Sequence, residues 1–149
     1  MPFKLAKISA TLGRRLILGG LLVLGITLLA YSNIERGKNY SQAQERALFL
    51  TEAVFNQAST SPLMLYASSE LFTSRRELDW SGYILFLRQQ LGRLRTIEST
   101  TGSANENSAR FSVFVEFDTG NAEIRIRLSR HQGDWLADEF TVIADALSG

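Results

Sequence analysis

The chain has 149 residues, with 16 Lys and Arg against 15 Asp and Glu, one histidine and no cysteine. The missing cysteines exclude disulfides and thiolate metal ligands, and one histidine with no carboxylate cluster beside it offers no transition-metal site, so neither metal nor cofactor is expected. Charge is split: the first 38 residues hold six Lys/Arg and one acid, whereas residues 39–149 hold 10 Arg, no Lys and 14 acids, a net −4. An acidic domain lacks the basic stripe that a nucleic-acid partner needs.

In chain order, a basic arm comes first (residues 1–15, with Lys4, Lys7, Arg14 and Arg15). No charge falls between Arg15 and Glu35, so residues 16–34 form an apolar stretch of 19 residues. At about 1.5 Å per helical residue it is roughly 28 Å long, close to the hydrocarbon thickness of a bilayer. The pattern predicts a single transmembrane anchor. The excess of positive charge ahead of it predicts that the N-terminus is inside and the C-terminal domain outside, on the periplasmic side of the cytoplasmic (inner) membrane. A cleaved signal peptide is the competing reading, because Ala30-Tyr31-Ser32 is a small-x-small site; the stretch is long for that role. Gly19, Gly20 and Gly25 do not form a GxxxG pairing motif.

Residues 35–40 read as a juxtamembrane linker and residues 41–146 as one domain, large enough for a single core. Ser41 and Gln44 form a capping-box pattern, followed by Ala43, Ala47, Leu50, Val54 and Ala58 at helical spacing. This predicts a helix over 41–58. Ser61-Pro62 predicts a second helix over 62–72. Asp79 is a candidate cap for a third, with the stripe Trp80, Ile84, Leu87, Leu91 and, if the helix reaches it, Leu94; Gly92 is its stop. The period then becomes two. A weak strand covers 93–100, and 102–108 is a polar loop. Phe111, Val113, Val115 and Phe117 share one face, as do Ile124, Ile126 and Leu128. With Thr119-Gly120 as the turn, Val115 faces Ile124 and Val113 faces Ile126. A three-residue loop at 131–133 leads into the last strand, Trp135 to Ile143. The fold class is α+β: about three helices packed on a four-stranded antiparallel sheet.

The ending over residues 127–142, with Gly133, Trp135 and Phe140, resembles the closing hairpin of cystatin-like, nuclear-transport-factor-two-like domains. The segment Leu87 to Arg95 is similar to their helix-to-strand junction. The resemblance implies a cystatin-like roll, of the small bacterial membrane-anchored kind. Such domains host many functions, so it implies no activity.

Asp138 is the sharpest candidate site residue. In the register above Ile126 faces Asp138, which places a carboxylate among apolar side chains. Burial there would favour its protonated form and make it a candidate general base. The resemblance adds weight, because enzymes of that fold use acids in the cone between sheet and helices. His131 lies in a turn with no adjacent nucleophile. Arg125 and Arg127 alternate with apolar residues and read as an outer row, a possible face for an acidic partner or a solvated face paired with Glu116 and Glu123. Arg88, Arg93 and Arg95 suit the negative end of the third helix. Tyr66, Trp80 and Tyr83 read as core packing or the wall of a ligand pocket.

The function expected is a membrane-tethered, extracytoplasmic protein-binding or complex-assembly module without catalysis, whose partners are the membrane and a protein near it; the residues lean against an enzyme without deciding it. A small-molecule or catalytic cone around Asp138 is the alternative. An accessory subunit of a respiratory-type membrane complex is a third reading, although the glycine-rich strands expected there are absent.

Overall fold

A computed structural model describes residues 3–57, 61–75 and 77–148, with side chains from residue 17 onward except those of 18, 74, 77 and 78. The order is α1 (Phe3–Asn56), α2 (Ser61–Leu65), α3 (Ser69–Ser74), α4 (Glu77–Leu91), β1 (Leu94–Ala104), β2 (Ser108–Phe117), β3 (Gly120–His131), β4 (Asp134–Ala144) and a 3-10 turn, Asp145–Leu147. The α+β class expected from the pattern is observed. The chain divides into two compact units, residues 1–37 and 38–149.

The first unit is helical throughout its described part. Among the described residues, no helix is long and apolar enough to cross a membrane. The stretch 16–34 includes Leu16 and Leu18, and the arm includes Lys4, Lys7, Arg14 and Arg15; these side chains lie outside the described residues.

Residues 35–40 are helical, and Ser41 lies inside α1 rather than capping a new helix. Nothing in Glu35 to Tyr40 stops a helix, and extending one is easier than nucleating another. The predicted stripe is nonetheless correct: Ala43, Ala47, Leu50 and Val54 are buried. Ala58 lies outside the described residues. Thr51, buried in the same face, donates its hydroxyl to the Ala47 carbonyl at 2.9 Å.

The expected helix over 62–72 is two short helices. They separate at Tyr66–Ser68 because that segment pairs with the edge of β4. The Ser68 N–H donates to the Ala137 carbonyl at 2.9 Å, and the Ala137 N–H donates to the Tyr66 carbonyl at 2.6 Å. Ser68 then caps α3, accepting from the Glu70 N–H at 3.2 Å. Helix α4 starts two residues before Asp79, at Glu77. Its stripe Trp80, Ile84, Leu87 and Leu91 is buried, and Gly92 ends it with φ +77°.

The sheet is an antiparallel meander in the order β1-β2-β3-β4. The helices of residues 38–149 and one face of the sheet enclose a single core, which includes Phe111, Val113, Val115, Ile124, Ile126 and Leu128. Strand faces are therefore as expected, but registers are not. Val113 pairs with Ile124 and Val115 with Ala122, so the turn is Asp118-Thr119 rather than Thr119-Gly120. Tertiary contacts select it. The Asp118 carboxylate accepts from the Arg93 N–H at 2.8 Å and from the Arg95 guanidinium. Thr119 donates its hydroxyl to the Leu91 carbonyl at 3.1 Å, docking the turn on the C-terminus of α4.

The β3–β4 turn is two residues, Gln132 and Gly133, both with positive φ (50° and 95°), the hairpin geometry that matches strand twist. Leu128 pairs with Ala137 and Arg127 with Glu139. Asp138 is the extra residue of a β-bulge, and Ile126 faces Phe140 rather than Asp138.

Candidate functional site

The bulge determines what Asp138 meets. Asp138 is buried. Its Oδ1 accepts from the Ser68 hydroxyl at 2.6 Å and from the Ser129 hydroxyl at 2.7 Å. Ser68 brings the N-terminus of α3, and Ser129 brings β3. The carboxylate is thus satisfied by hydroxyls at the margin of β4 rather than enclosed by apolar side chains. His131 joins the same cluster, with Nε2 at 2.8 Å from the Ser129 oxygen. Because Ser129 gives its proton to Asp138, the His131 nitrogen is the donor in that contact. The serine therefore lies between histidine and acid. A nucleophilic triad needs the histidine in the middle, taking the serine proton, so this chain of groups pins the bulge and does not activate Ser129.

Beside it lies a cleft of about 600 Å³ whose lining includes Glu70, Arg75, Trp80, Tyr83, Arg127 and Asp138. Trp80 and Tyr83 meet edge to face, with centroids 5.7 Å apart. The Arg75 guanidinium lies 3.8 Å from the Tyr83 centroid and 5.4 Å from that of Trp80. The aromatic corner is therefore already occupied by a cation of the chain itself. Trp80 also donates its indole N–H to the Leu71 carbonyl at 3.3 Å, consistent with its burial in the core. Tyr66 lies elsewhere, in a second cleft of about 430 Å³ with Phe49, Arg130 and Trp135. Arg46 stacks on Tyr66 at 3.6 Å from the ring centroid.

Arg125 and Arg127 lie on the outer face of the sheet, as the alternation predicts. Arg125 pairs with Glu123 at 2.8 Å, and Arg127 pairs with Glu70 at 2.7 Å and Glu139 at 3.5 Å. Glu123 is held below its ordinary carboxylate range, first by the Arg125 hydrogen bond and then by that of Ser112. Arg125 is raised by the same bond to Glu123. Arg127 is raised by its Glu70 hydrogen bond, against the opposing effect of burial. Asp118 is held low, first by the Arg93 N–H and then by Arg95. Arg88 serves packing: it donates to the Val54 carbonyl at 2.6 Å, satisfying one of the last acceptors of α1, and burial lowers its pKa.

Ser68, Ser129 and Arg110 were not legible as site residues. Ser68-Ser69-Glu70 carries a cap signal, but its use depends on the β4 edge. Arg110 pairs across the ladder with Arg127. A register in error by two residues places it opposite Ser129 and hides the arginine pair. Among the described residues, no group of three or more His, Asp or Glu converges to hold a metal ion.

A scan against protein-family models finds none that matches this chain, and a search of curated proteins finds no significant match. The class defined by the fold is an α+β domain with a four-stranded antiparallel meander, whose first helix, the C-terminal part of α1, lends Ala43, Ala47, Leu50 and Val54 to the core.

Proposed function

We propose that this protein is a single-pass membrane-tethered module whose residues 38–149 work outside the cytoplasmic membrane, holding a protein partner near the bilayer without catalysis. One observation carries the reading. Leu21, Leu22, Val23 and Leu24 are each 60–65% exposed. Four consecutive residues cover all sides of a helix, so the exposed apolar surface is a band and not a stripe. A helix that is hydrophobic all round needs an apolar surrounding, in protein or in lipid. Withdrawing each such side chain from water stabilises by roughly 1.5–3 kcal/mol. The sequence supports lipid, because the band follows a purely basic arm and has no charge from Leu16 to Ile34. Ile17, Leu28, Leu29 and Ile34 extend the exposed band along α1.

The domain is read as a cystatin-like, nuclear-transport-factor-two-like roll. The meander covered on one face by helices, and the closing hairpin with Gly133, Trp135 and Phe140, support that reading. A binding role is favoured over chemistry because the one buried carboxylate among the described residues, Asp138, sits in a cluster whose order holds structure.

Alkaline extraction of membranes tests the tether. The full chain should stay with the membrane pellet and be released only by detergent, whereas a chain lacking residues 16–34 should be released without it. Release of the full chain by alkali alone would overturn the proposal.

A further inference from the structure

The two edges of the sheet are treated differently. The β4 edge is covered at Ala137 by the chain's own Tyr66–Ser68 segment. Among the described residues no strand covers the β1 edge, since β1 pairs only with β2. Exposed edges template pairing with other chains, and proteins usually blunt them with bulges, charges or proline. The first half of β1 follows that rule: its register shifts between Leu94 and Thr96 and between Ile97 and Ser99, and it carries Arg95 and Glu98. The second half, from Ser99 to Ala104, runs in uninterrupted register with no charge and no proline.

The direction of the open groups follows from the ladder. The Asn105 N–H donates to the Ser108 carbonyl at 2.9 Å, so that pair is hydrogen-bonded. Hydrogen-bonded pairs alternate in an antiparallel ladder. Ser103–Arg110 and Thr101–Ser112 are then bonded pairs, and Thr100, Gly102 and Ala104 point their N–H and C=O groups away from β2. Among the described residues no backbone partner meets them. Six residues at about 3.4 Å each give roughly 20 Å of open edge.

Charge selects the occupant. Next to this edge lies a groove of about 520 Å³, whose lining includes Thr101, Ser103, Arg110, Arg125, Arg127 and one acid, Glu139. Arg127 and Arg125 have their own carboxylates: Glu70 and Glu139 for the first, Glu123 for the second. Arg110 is exposed, faces Arg127 directly across the ladder, and has no ion-pair partner among the described residues. Like charges directly opposite one another are destabilising, so a site that keeps them gains from an anion. Ser103, between Arg110 and the edge, is small enough for the long guanidinium stem to reach past it. A second copy pairing through the same edge would bring no acid, because none occurs from Ser99 to Ala104.

We infer that the Ser99–Ala104 edge of β1 is a docking site for an extended, acidic segment of a partner protein, which adds a fifth strand and presents a carboxylate to Arg110. This rests on the protein-binding reading above and names the partner's chemistry. Backbone bonds along the edge give affinity, and the arginine selects the sequence.

The test uses the full chain in detergent micelles and three labelled heptapeptides, read by fluorescence anisotropy. They are Thr-Glu-Val-Glu-Val-Glu-Thr, the same peptide with Lys for each Glu, and the acidic peptide N-methylated throughout. The acidic peptide should bind. The Lys peptide should bind at least roughly tenfold more weakly, and the N-methylated peptide, which keeps its charges but loses its donors, should lose binding. Arg110→Gln should weaken the acidic peptide roughly three- to fivefold, as expected for one exposed charge pair, with a thermal transition no lower than that of the wild type, because one of two facing like charges is removed. Equal binding of the acidic and N-methylated peptides would overturn the edge, because charge alone would then suffice. Insensitivity to Arg110→Gln would overturn the selector. Self-association that competes with the acidic peptide would make the occupant a second copy. No binding up to ~1 mM would overturn the assignment, while retention of the chain after alkaline extraction would still leave the tethered module standing.

Discussion

Asp138 and Ser68 are expected to act as a coupled pair that secures the β4 bulge. Asp138→Ala removes the acceptor of two hydroxyl bonds, at 2.6 and 2.7 Å. Hydrogen bonds to a charged group contribute about 1.5–3 kcal/mol each. The Ser68 hydroxyl, in a residue only 4% exposed, would be left without its acceptor. Ser129 is half-buried and keeps His131, so its loss is smaller. The expected destabilisation is about 3–4 kcal/mol, or a fall in Tm of roughly 10–20 °C for a domain of this size. Asp138→Asn keeps an oxygen in the same place and should lose less than about 1.5 kcal/mol. Ser68→Ala removes both the bond to Asp138 and the cap of α3, for about 2 kcal/mol. The double variant should lose about 1–2 kcal/mol less than the sum. Near-ultraviolet circular dichroism of the full chain in micelles reads this cleanly, because both tryptophans, Trp80 and Trp135, are buried in the 38–149 unit. Additive effects, or Asp138→Ala within about 0.5 kcal/mol of wild type, would refute the pairing. Stabilisation by Asp138→Asn would restore the picture of a bare acid in an apolar core.

Other expectations follow from the same packing. Gly102→Ala should destabilise strongly, because an added Cβ would collide with the Arg110 carbonyl and the Phe111 ring; its Tm should fall well below that of Gly82→Ala, where nothing lies within 4 Å. Val113→Ala, Ile126→Ala and Phe140→Ala should each lose roughly 2–4 kcal/mol, with Phe140 highest, whereas Arg125→Ala on the solvent face should leave the same melts nearly unchanged. The folded pKa values of Asp118 and Glu123 lie below their ordinary values. The stability they supply is therefore complete above about pH 4.5 and is lost as the pH falls through the lowered folded values. Asp118→Asn with Glu123→Gln should flatten the acid limb of a Tm-against-pH curve, and an unchanged limb would contradict the pairing. Residues 38–149 alone should show one cooperative thermal transition, since the whole sheet and its core lie within them.

The strand faces were legible because side-chain direction has a period of two. A slip of two residues leaves Val113, Val115, Ile124 and Ile126 facing inward, so the face survives an error of register. The register itself was not legible. The β2–β3 turn is chosen by Asp118 and Thr119 meeting Arg93 and Leu91, contacts that no local pattern announces. The break in the 62–72 helix and the bulge at Asp138 have one origin, the pairing of Tyr66–Ser68 with the β4 edge, and each is invisible without the other. Asp138 could be recognised as an acid in an apolar run, but its two serine donors come from α3 and β3 and were found only in space. The arginine row was readable from alternation, while the pairing of Arg110 with Arg127 required the true register. The start of α1 failed as a reading for a simpler reason: Ser41 and Gln44 form a cap pattern only where the preceding chain is not already helical.

Site-specific labelling tests the tether and its orientation together. The chain has no cysteine of its own, so single cysteines report without background. In intact cells, a membrane-impermeant maleimide should label Ala146→Cys, an exposed position of the 38–149 unit. Ser9→Cys, in the basic arm, should be labelled only after the membrane is opened. Labelling of Ser9→Cys alone in intact cells, or of neither position until the membrane is opened, would contradict a domain held outside by residues 16–34.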